Sequence, residues 1–239
     1  MANGVSLLAM PLNVALIIFE LVLMVLAISI HDCAQAWAAN KLGDPTGRML
    51  GRMTLNPIVH FDLFGMAIWP LLYVWTSPLI LGWGKPVPMT YRNFRQKNGE
   101  MLATLAGPLA QVVAAVVCLV VLIVLKHLVP GAQQSLGEVM MLTFRAPVDT
   151  TSLPSIFPVL LLLDIAIFVN LLLAIFNLVP VPFLDGGKIL VHFLPYNAAK
   201  AFEQYALWIM IGFFFVGFKI ILGVFVPAFM FFQHLLLSL

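Results

Sequence analysis

From residue 101 to residue 125 the chain runs without a formal charge, and four other stretches are nearly as bare. A helix needs about 20 apolar residues to cross the hydrocarbon of a bilayer. This feature therefore constrains the fold more than any other. Residues 5–30 carry only Glu20, residues 156–180 only Asp164 and residues 206–239 only Lys219. Residues 63–84 carry no charge but contain Pro70 and Pro78. With 62% hydrophobic and 9% charged residues, the chain lacks the charge a soluble surface of this size needs. It reads as an all-α polytopic membrane protein of five to six membrane helices, in one domain spanning residues 1–239. The net charge of +2, with no basic cluster interleaved with aromatics, argues against nucleic acid as a partner; the bilayer is the expected one.

The loops set the sides. Lys41, Arg48 and Arg52 fall in one loop and Lys85, Arg92, Arg95 and Lys97 in the next. The positive-inside rule places both in the cytoplasm, although residues 63–84 lie between them. That segment is expected to be broken or re-entrant, which is tolerated where protein covers its backbone. The first helix then runs inward, 101–125 outward and 156–180 inward. His31 and Asp185 are thereby expected at one depth, just beyond the cytoplasmic ends of two inward-running helices. Residues 206–239 form a tilted span, or a hairpin broken near Gly223 and Pro227. Residues 48–55 and 85–90 are candidate short strands, the second demoted to an edge by its prolines. Cys33 and Cys118, both in apolar runs, read as free thiols. The amino-terminal run has no basic residue before it and reads as a retained helix.

Charge in a membrane-length segment is functional by default, which directs attention to His31-Asp32-Cys33-Ala34-Gln35. Positions i and i+4 lie about 40° apart on a helix, so His31 and Gln35 share a face. Two histidines so spaced bind zinc, and a glutamate after the first serves as general base. Here the second position offers a neutral amide, a weak ligand for zinc. Asp32 is one methylene shorter than glutamate, a difference of roughly 1.5 Å in reach; a misplacement of that order costs about 100-fold in rate. The bland alternative is a helix end with a solvated carboxylate.

Farther along, Pro180 and Pro182 end a helix, and Gly186 and Gly187 permit a tight turn after Asp185. Asp185 either reaches a metal or a neighbouring helix end, or caps the segment after it. Asn170 and Asn177, seven apart, share a face and either bind a substrate backbone or join helices. Ala106-Gly107-Pro108 suits close helix packing. His192, seven after Asp185, is either interfacial or a replacement imidazole. Glu20, Asp164 and the asparagines admit one more reading, the polar path of a small transporter or channel.

Taken together, these motifs resemble the site-2 protease family of intramembrane zinc metalloproteases, in its small bacterial-type branch. HDCAQAWAANKLGDPTGRMLGRMTLNPIVHFDLFG stands where that branch has HExxH, a GDPTA-like turn, a GR-TLNP stretch and an H-x-D-x-x-G segment. GWGKPVPMTYRNFR, LATLAGPLAQV and VNLLLAIFNLVPVPFLDGG resemble its later motifs, in the same order. The resemblance covers roughly residues 10–205. It implies about six membrane helices with a small membrane-associated β-sheet, and a zinc cofactor. It also implies single-span membrane proteins as substrates, unwound locally and added as a strand to a sheet edge. On this chain His31 matches the first zinc ligand and Asp185 the third, while Gln35 stands at the second. Asp32 stands at the catalytic base, and Asn170 and Asn177 fall in the last of the matching motifs. Gln111 replaces an asparagine of the family pattern. The paired departures at 32 and 35 predict a family fold with impaired catalysis, a pseudoprotease binding transmembrane clients. An active enzyme with a variant site is the alternative.

Overall fold

The computed structural model describes residues 12–73, 80–149 and 153–239. Nine α-helices are found among them: α1 (Leu12–Lys41), α2 (Thr46–Met49), α3 (Trp69–Tyr73), α4 (Gly99–Leu128), α5 (Ala132–Thr143), α6 (Phe157–Leu178), α7 (Asp185–Phe193), α8 (Tyr196–Gln204) and α9 (Ala206–Ser238). Four of them, α1, α4, α6 and α9, contain stretches long and apolar enough to cross a membrane. The chain is thus an all-helical, multi-pass membrane protein. Helix α6 is central, with 78% of its most apolar window buried against 39, 28 and 22% for α1, α4 and α9. This matches its sequence, which is apolar on every side.

Residues 63–84 form no spanning helix in their described parts. A π-turn at Phe64–Ile68 leads into α3, and from Ile80 the chain returns without regular secondary structure. The two limbs meet: Trp83 N–H donates to Gly65 O at 3.3 Å and Lys85 N–H to His60 O at 2.9 Å. Backbone-to-backbone approach requires the glycines, since a Cβ on Gly65 would lie 2.2 Å from Trp83 O. The ends of the segment therefore sit side by side, as a re-entrant element demands. Part of the stretch read as re-entrant, residues 74–79, lies outside the described residues, as do residues 5–11 of the first predicted run.

Several expected boundaries are corrected. Helix α1 does not end near Ile30 but continues to Lys41, so His31 lies within it. The polar residues find partners on other elements, and Ala36 and Ala39, both wholly buried, keep the helix packed. Gly43, at φ 114°, then turns the chain. Residues 48–55 are a helical turn and loop rather than a strand. Residues 85–90 form no helix and join no ladder among the described residues. Pro86 and Pro88 donate nothing, and the N–H of Thr90 goes to Asp44 Oδ2 at 2.7 Å. Helix α9 is continuous through Gly223 and Pro227 instead of a hairpin. Phe225 and Phe229 hold it against α6, with ring centroids 4.8 and 5.3 Å from Phe168. Its last turn is fastened to the end of α4, where Lys126 Nζ donates to the carbonyls of Leu236 and Leu237 at 2.9 and 3.0 Å.

Candidate functional site

Helix α1 brings His31, Asp32 and Gln35 to the place where α4 and the start of α7 meet it. The His31 ring lies between two carboxylates. Nδ1 is 3.1 Å from Asp32 Oδ1, and Nε2 is 2.8 Å from Asp185 Oδ2. The second contact is close but off the hydrogen-bond line, leaving Nε2 buried without an aligned partner. Gln35 donates from Nε2 to Asp185 Oδ2 at 2.7 Å and to Thr104 O at 3.1 Å. Lys188 Nζ donates to Asp185 Oδ1 at 3.0 Å. Burial acts to raise the Asp185 pKa, but the contact with His31 and the charge of Lys188 outweigh it and hold the carboxyl below its ordinary range.

Asp32 faces the other way. Its Oδ2 lies 3.2 Å from Arg52 Nη2 and 3.2 Å from His60 Nδ1. Arg52 also donates to Lys85 O, and His60 Nε2 lies 2.8 Å from Thr54 O. One carboxylate on α1 thus holds Arg52 and His60, and through Arg52 reaches the backbone of Lys85 on the far side of the 63–84 segment. Glycines make the approach possible. A Cβ on Gly107 would sit 2.4 Å from His31 Nε2, and one on Gly84 2.8 Å from Asp32 Oδ2.

A cavity of about 420 Å³ opens beside these groups. His31, Asp32, Gln35 and Asp185 form its polar floor, and Ile28, Trp83, Phe176, Phe183 and Met210 much of its apolar wall. Phe183 is 74% exposed, at a positive φ of 74° that non-glycine residues rarely adopt. Asn177 lines the cavity. Asn170 does not: it is buried and donates to Ala166 O of its own helix at 2.9 Å. His192 is no replacement imidazole, since its Nε2 reaches Asn98 Oδ1 at 3.2 Å on the surface. Asp185 is not a helix cap, for it sits in the first turn of α7 after Leu184. Glu20 and Asp164 also stand apart from the cavity. Glu20 accepts from Arg145 Nη2 at 2.6 Å. Asp164 accepts from Thr143 Oγ1 and Gln233 Nε2, each at 2.6 Å.

Sequence reasoning missed Arg52, His60, Thr104 and Lys188, and read Gly107 only as a point of close helix packing. Arg52 was counted only as a loop cation and His60 only as part of a motif. No spacing rule brings a loop side chain onto a helix 20 or more residues away. The clue available was His60 itself, a polar residue between apolar neighbours.

These features define a class: a helical membrane protein whose spans bury a histidine–carboxylate site beside a largely apolar cavity. The chain belongs to Peptidase family M50, the site-2 protease family, whose profile matches residues 19–218. It is 31% identical over 182 residues to a Bacillus subtilis (strain 168) protein named "Putative zinc metalloprotease YwhC", covering 74% of this chain and 69% of that protein. No solved structure matches it.

Membership leads one to expect zinc, and the donor set tests the fit. A catalytic zinc takes three protein ligands and leaves one position open. His31 Nε2 and Asp185 Oδ2 converge as two. At the third place Gln35 presents its NH₂ group, a donor. Turning the amide over would set its oxygen against Thr104 O and Asp185 Oδ2, both acceptors. Among the described residues no three His, Cys, Asp or Glu side chains are placed to share an ion. Lys188 already sits on Asp185 and Arg52 on Asp32. The residues present do not fit the family's zinc.

Proposed function

We propose that this chain is a catalytically impaired member of the site-2 protease family that keeps the family site as a binding site for transmembrane segments of other proteins. The orientation of Gln35 carries the reading. Its amide hydrogens are committed to Thr104 O and Asp185 Oδ2, so a donor stands where a ligand is needed. Asp32 is engaged on the Nδ1 side of His31 and with Arg52 and His60, away from the Nε2 side where a base would act. What remains is recognition. The cavity offers apolar walls and a charged floor, with Asn177 available to hydrogen-bond a client backbone. Gly82, Trp83, Gly84, Pro86 and Val87 line it from a stretch that is not helical and suits an unwound client segment lying alongside. The cations Lys41, Arg48, Arg52, Lys85, Arg92, Arg95 and Lys97 gather at this end of the bundle and favour the cytoplasmic side of a cell membrane.

Zinc analysis of the purified chain, together with a cleavage assay on single-span substrates in vesicles, tests the reading. Substoichiometric zinc and no cleavage are expected, with zinc rising toward one per chain in the Asp32→Glu, Gln35→His double variant. One tightly held zinc per wild-type chain with cleavage of a membrane substrate overturns it. One observation favours a second reading, an active zinc protease with a variant site: His31 Nε2 is buried beside Asp185 without an aligned partner. On that reading the wild type cleaves, and Gln35→His alters its rate only modestly.

A further inference from the structure

Lys219 has no use in the site just described. It is exposed on α9, a helix long and apolar enough to span the membrane, and makes no hydrogen bond or ion pair among the described residues. The buried face of α9 is marked by Gly217, Ile221, Phe225, Phe229 and Gln233, at four-residue intervals. Lys219 is two positions from Gly217 and two from Ile221, about 200° around the helix from each. It therefore points directly away from the bundle. The cavity residue Met210 lies nine positions before it, on the opposite side.

Depth decides whether such a lysine can reach water. Tyr205 and Trp208 are 54 and 70% exposed at the start of α9, a fitting aromatic belt for one membrane interface. Leu236, whose carbonyl is held by Lys126, marks the other end. Lys219 is eleven residues from Trp208 and seventeen from Leu236, roughly 16 and 25 Å along the helix. A lysine side chain reaches roughly 6 Å. Its ammonium falls short of either interface, and hydrocarbon cannot compensate it.

The surface around it is shaped for close approach. Gly212 and Gly223 lie on the same face as Lys219, seven before and four after it, with Val216 between. A Cβ on either glycine would meet nothing of this chain within 4 Å. Small residues allow another helix's backbone to come near, and the unpaired charge states what that helix must carry. A second copy of this chain cannot supply it. A two-fold pairing of this face would set Lys219 beside Lys219. The chain's own carboxylates inside the spans, Glu20, Asp32 and Asp164, are all buried and engaged, and Glu100 sits in the first turn of α4.

We infer that the outward face of α9, with Lys219 at its centre, docks a transmembrane helix of a different protein carrying an aspartate or glutamate at matching depth. This surface is separate from the cavity and does not depend on the proposed function.

The test uses the full chain in phosphatidylcholine vesicles with labelled single-span Leu/Ala peptides bearing Asp, Leu or Lys level with Lys219, read by energy transfer. The Asp peptide is expected to associate about tenfold more tightly than the Leu peptide, the order of one interhelical polar contact. Lys219→Leu removes that preference, Lys219→Arg keeps it, and Gly223→Leu weakens association. Equal association of Asp and Leu peptides overturns the inference, as does a preference that survives Lys219→Leu. Abolition of the preference by phosphatidylserine also overturns it, because the lysine would then be serving lipid headgroups.

Discussion

The two ends of the bundle bury the same kinds of side chain and treat them differently. At the far end, Asp164 is wholly buried with two hydrogen bonds of 2.6 Å, beside a cluster of Phe144, Phe168, Phe225 and Phe229. Glu20 is matched there by Arg145. At the site end, His31, Asp32, Arg52, His60 and Asp185 form a larger network that leaves His31 Nε2, Arg52 Nε and His60 Nδ1 without aligned partners and opens on a cavity. A satisfied, enclosed carboxylate joins helices. One with loosely satisfied neighbours beside a cavity is equipped to meet something from outside. Burial alone does not separate the two uses; what marks the site end is that its network also lines a cavity.

Breaking the far end is expected to give the largest loss. Arg145→Leu strands Glu20 in the interior and should lower unfolding stability in detergent by about 3 kcal/mol, leaving client binding by the remaining folded protein intact. A loss below about 1 kcal/mol would mean the pair is not structural, and the contrast between the ends would fail. Next in size is a matched pair of glycine changes. Gly107→Ala pushes a methyl into the His31 ring and should cost about 2 kcal/mol while shifting the His31 imidazole resonances. Gly137→Ala, on α5 with nothing within 4 Å of the new Cβ, should instead gain up to about 1 kcal/mol. Equal effects would show that the notch holding His31 is no tighter than an open helix surface. Smaller again, Thr143→Val removes one of the two hydrogen bonds to Asp164 and should cost about 1 kcal/mol, read by the same unfolding measurement.

The contrast also explains what could be read from the amino-acid sequence. The spans were legible because a charge-free run of bilayer length has few other uses. Two basic loops that had to share a side led to the expectation that residues 63–84 turn back, and the meeting of Gly65 with Trp83 places the described ends of that segment side by side. Counting the same cations put His31 and Asp185 at one end, yet nothing in the sequence gave their 2.8 Å separation or the intervening role of Gly107. The end of α1 was misjudged because His31, Asp32 and Gln35 looked like the edge of the apolar phase. Their partners come from residues 52, 60, 104 and 185, and tertiary satisfaction has no local signature. For the same reason Asp32, expected near a reacting centre, could not be seen to face Arg52 and His60. Asp185 stood out by its flanking prolines and glycines and by its motif, whereas nothing around Asp164 signalled its partners Thr143 and Gln233.

The smallest expected effect sharpens the comparison within the site end itself, between the open network and the closed turn beneath it. Asp44 shows no exposed surface, and its carboxylate accepts from Thr46 N and Oγ1, Thr90 N and Asn93 Nδ2. Burial acts to raise its pKa, but the hydrogen bonds from Thr46, Asn93 and Thr90 outweigh it and hold the group below its ordinary value of 3.8. A depressed folded-state pKa makes the contribution complete above the unfolded value and removes it as pH falls through the folded one. The turn joining α1 to residues 85–93 should therefore stay closed at neutral pH and loosen only below the usual carboxylate range. Hydrogen exchange of the Thr90 amide is the direct reading: protection flat from pH 7 to about 4 and falling below it. Asp44→Asn, which cannot ionise, should remove the pH dependence and lower protection throughout. If the wild-type amide instead loses protection between pH 7 and 5, the turn is governed by a histidine, and the separation between the closed turn and the His31–His60 network above it does not hold.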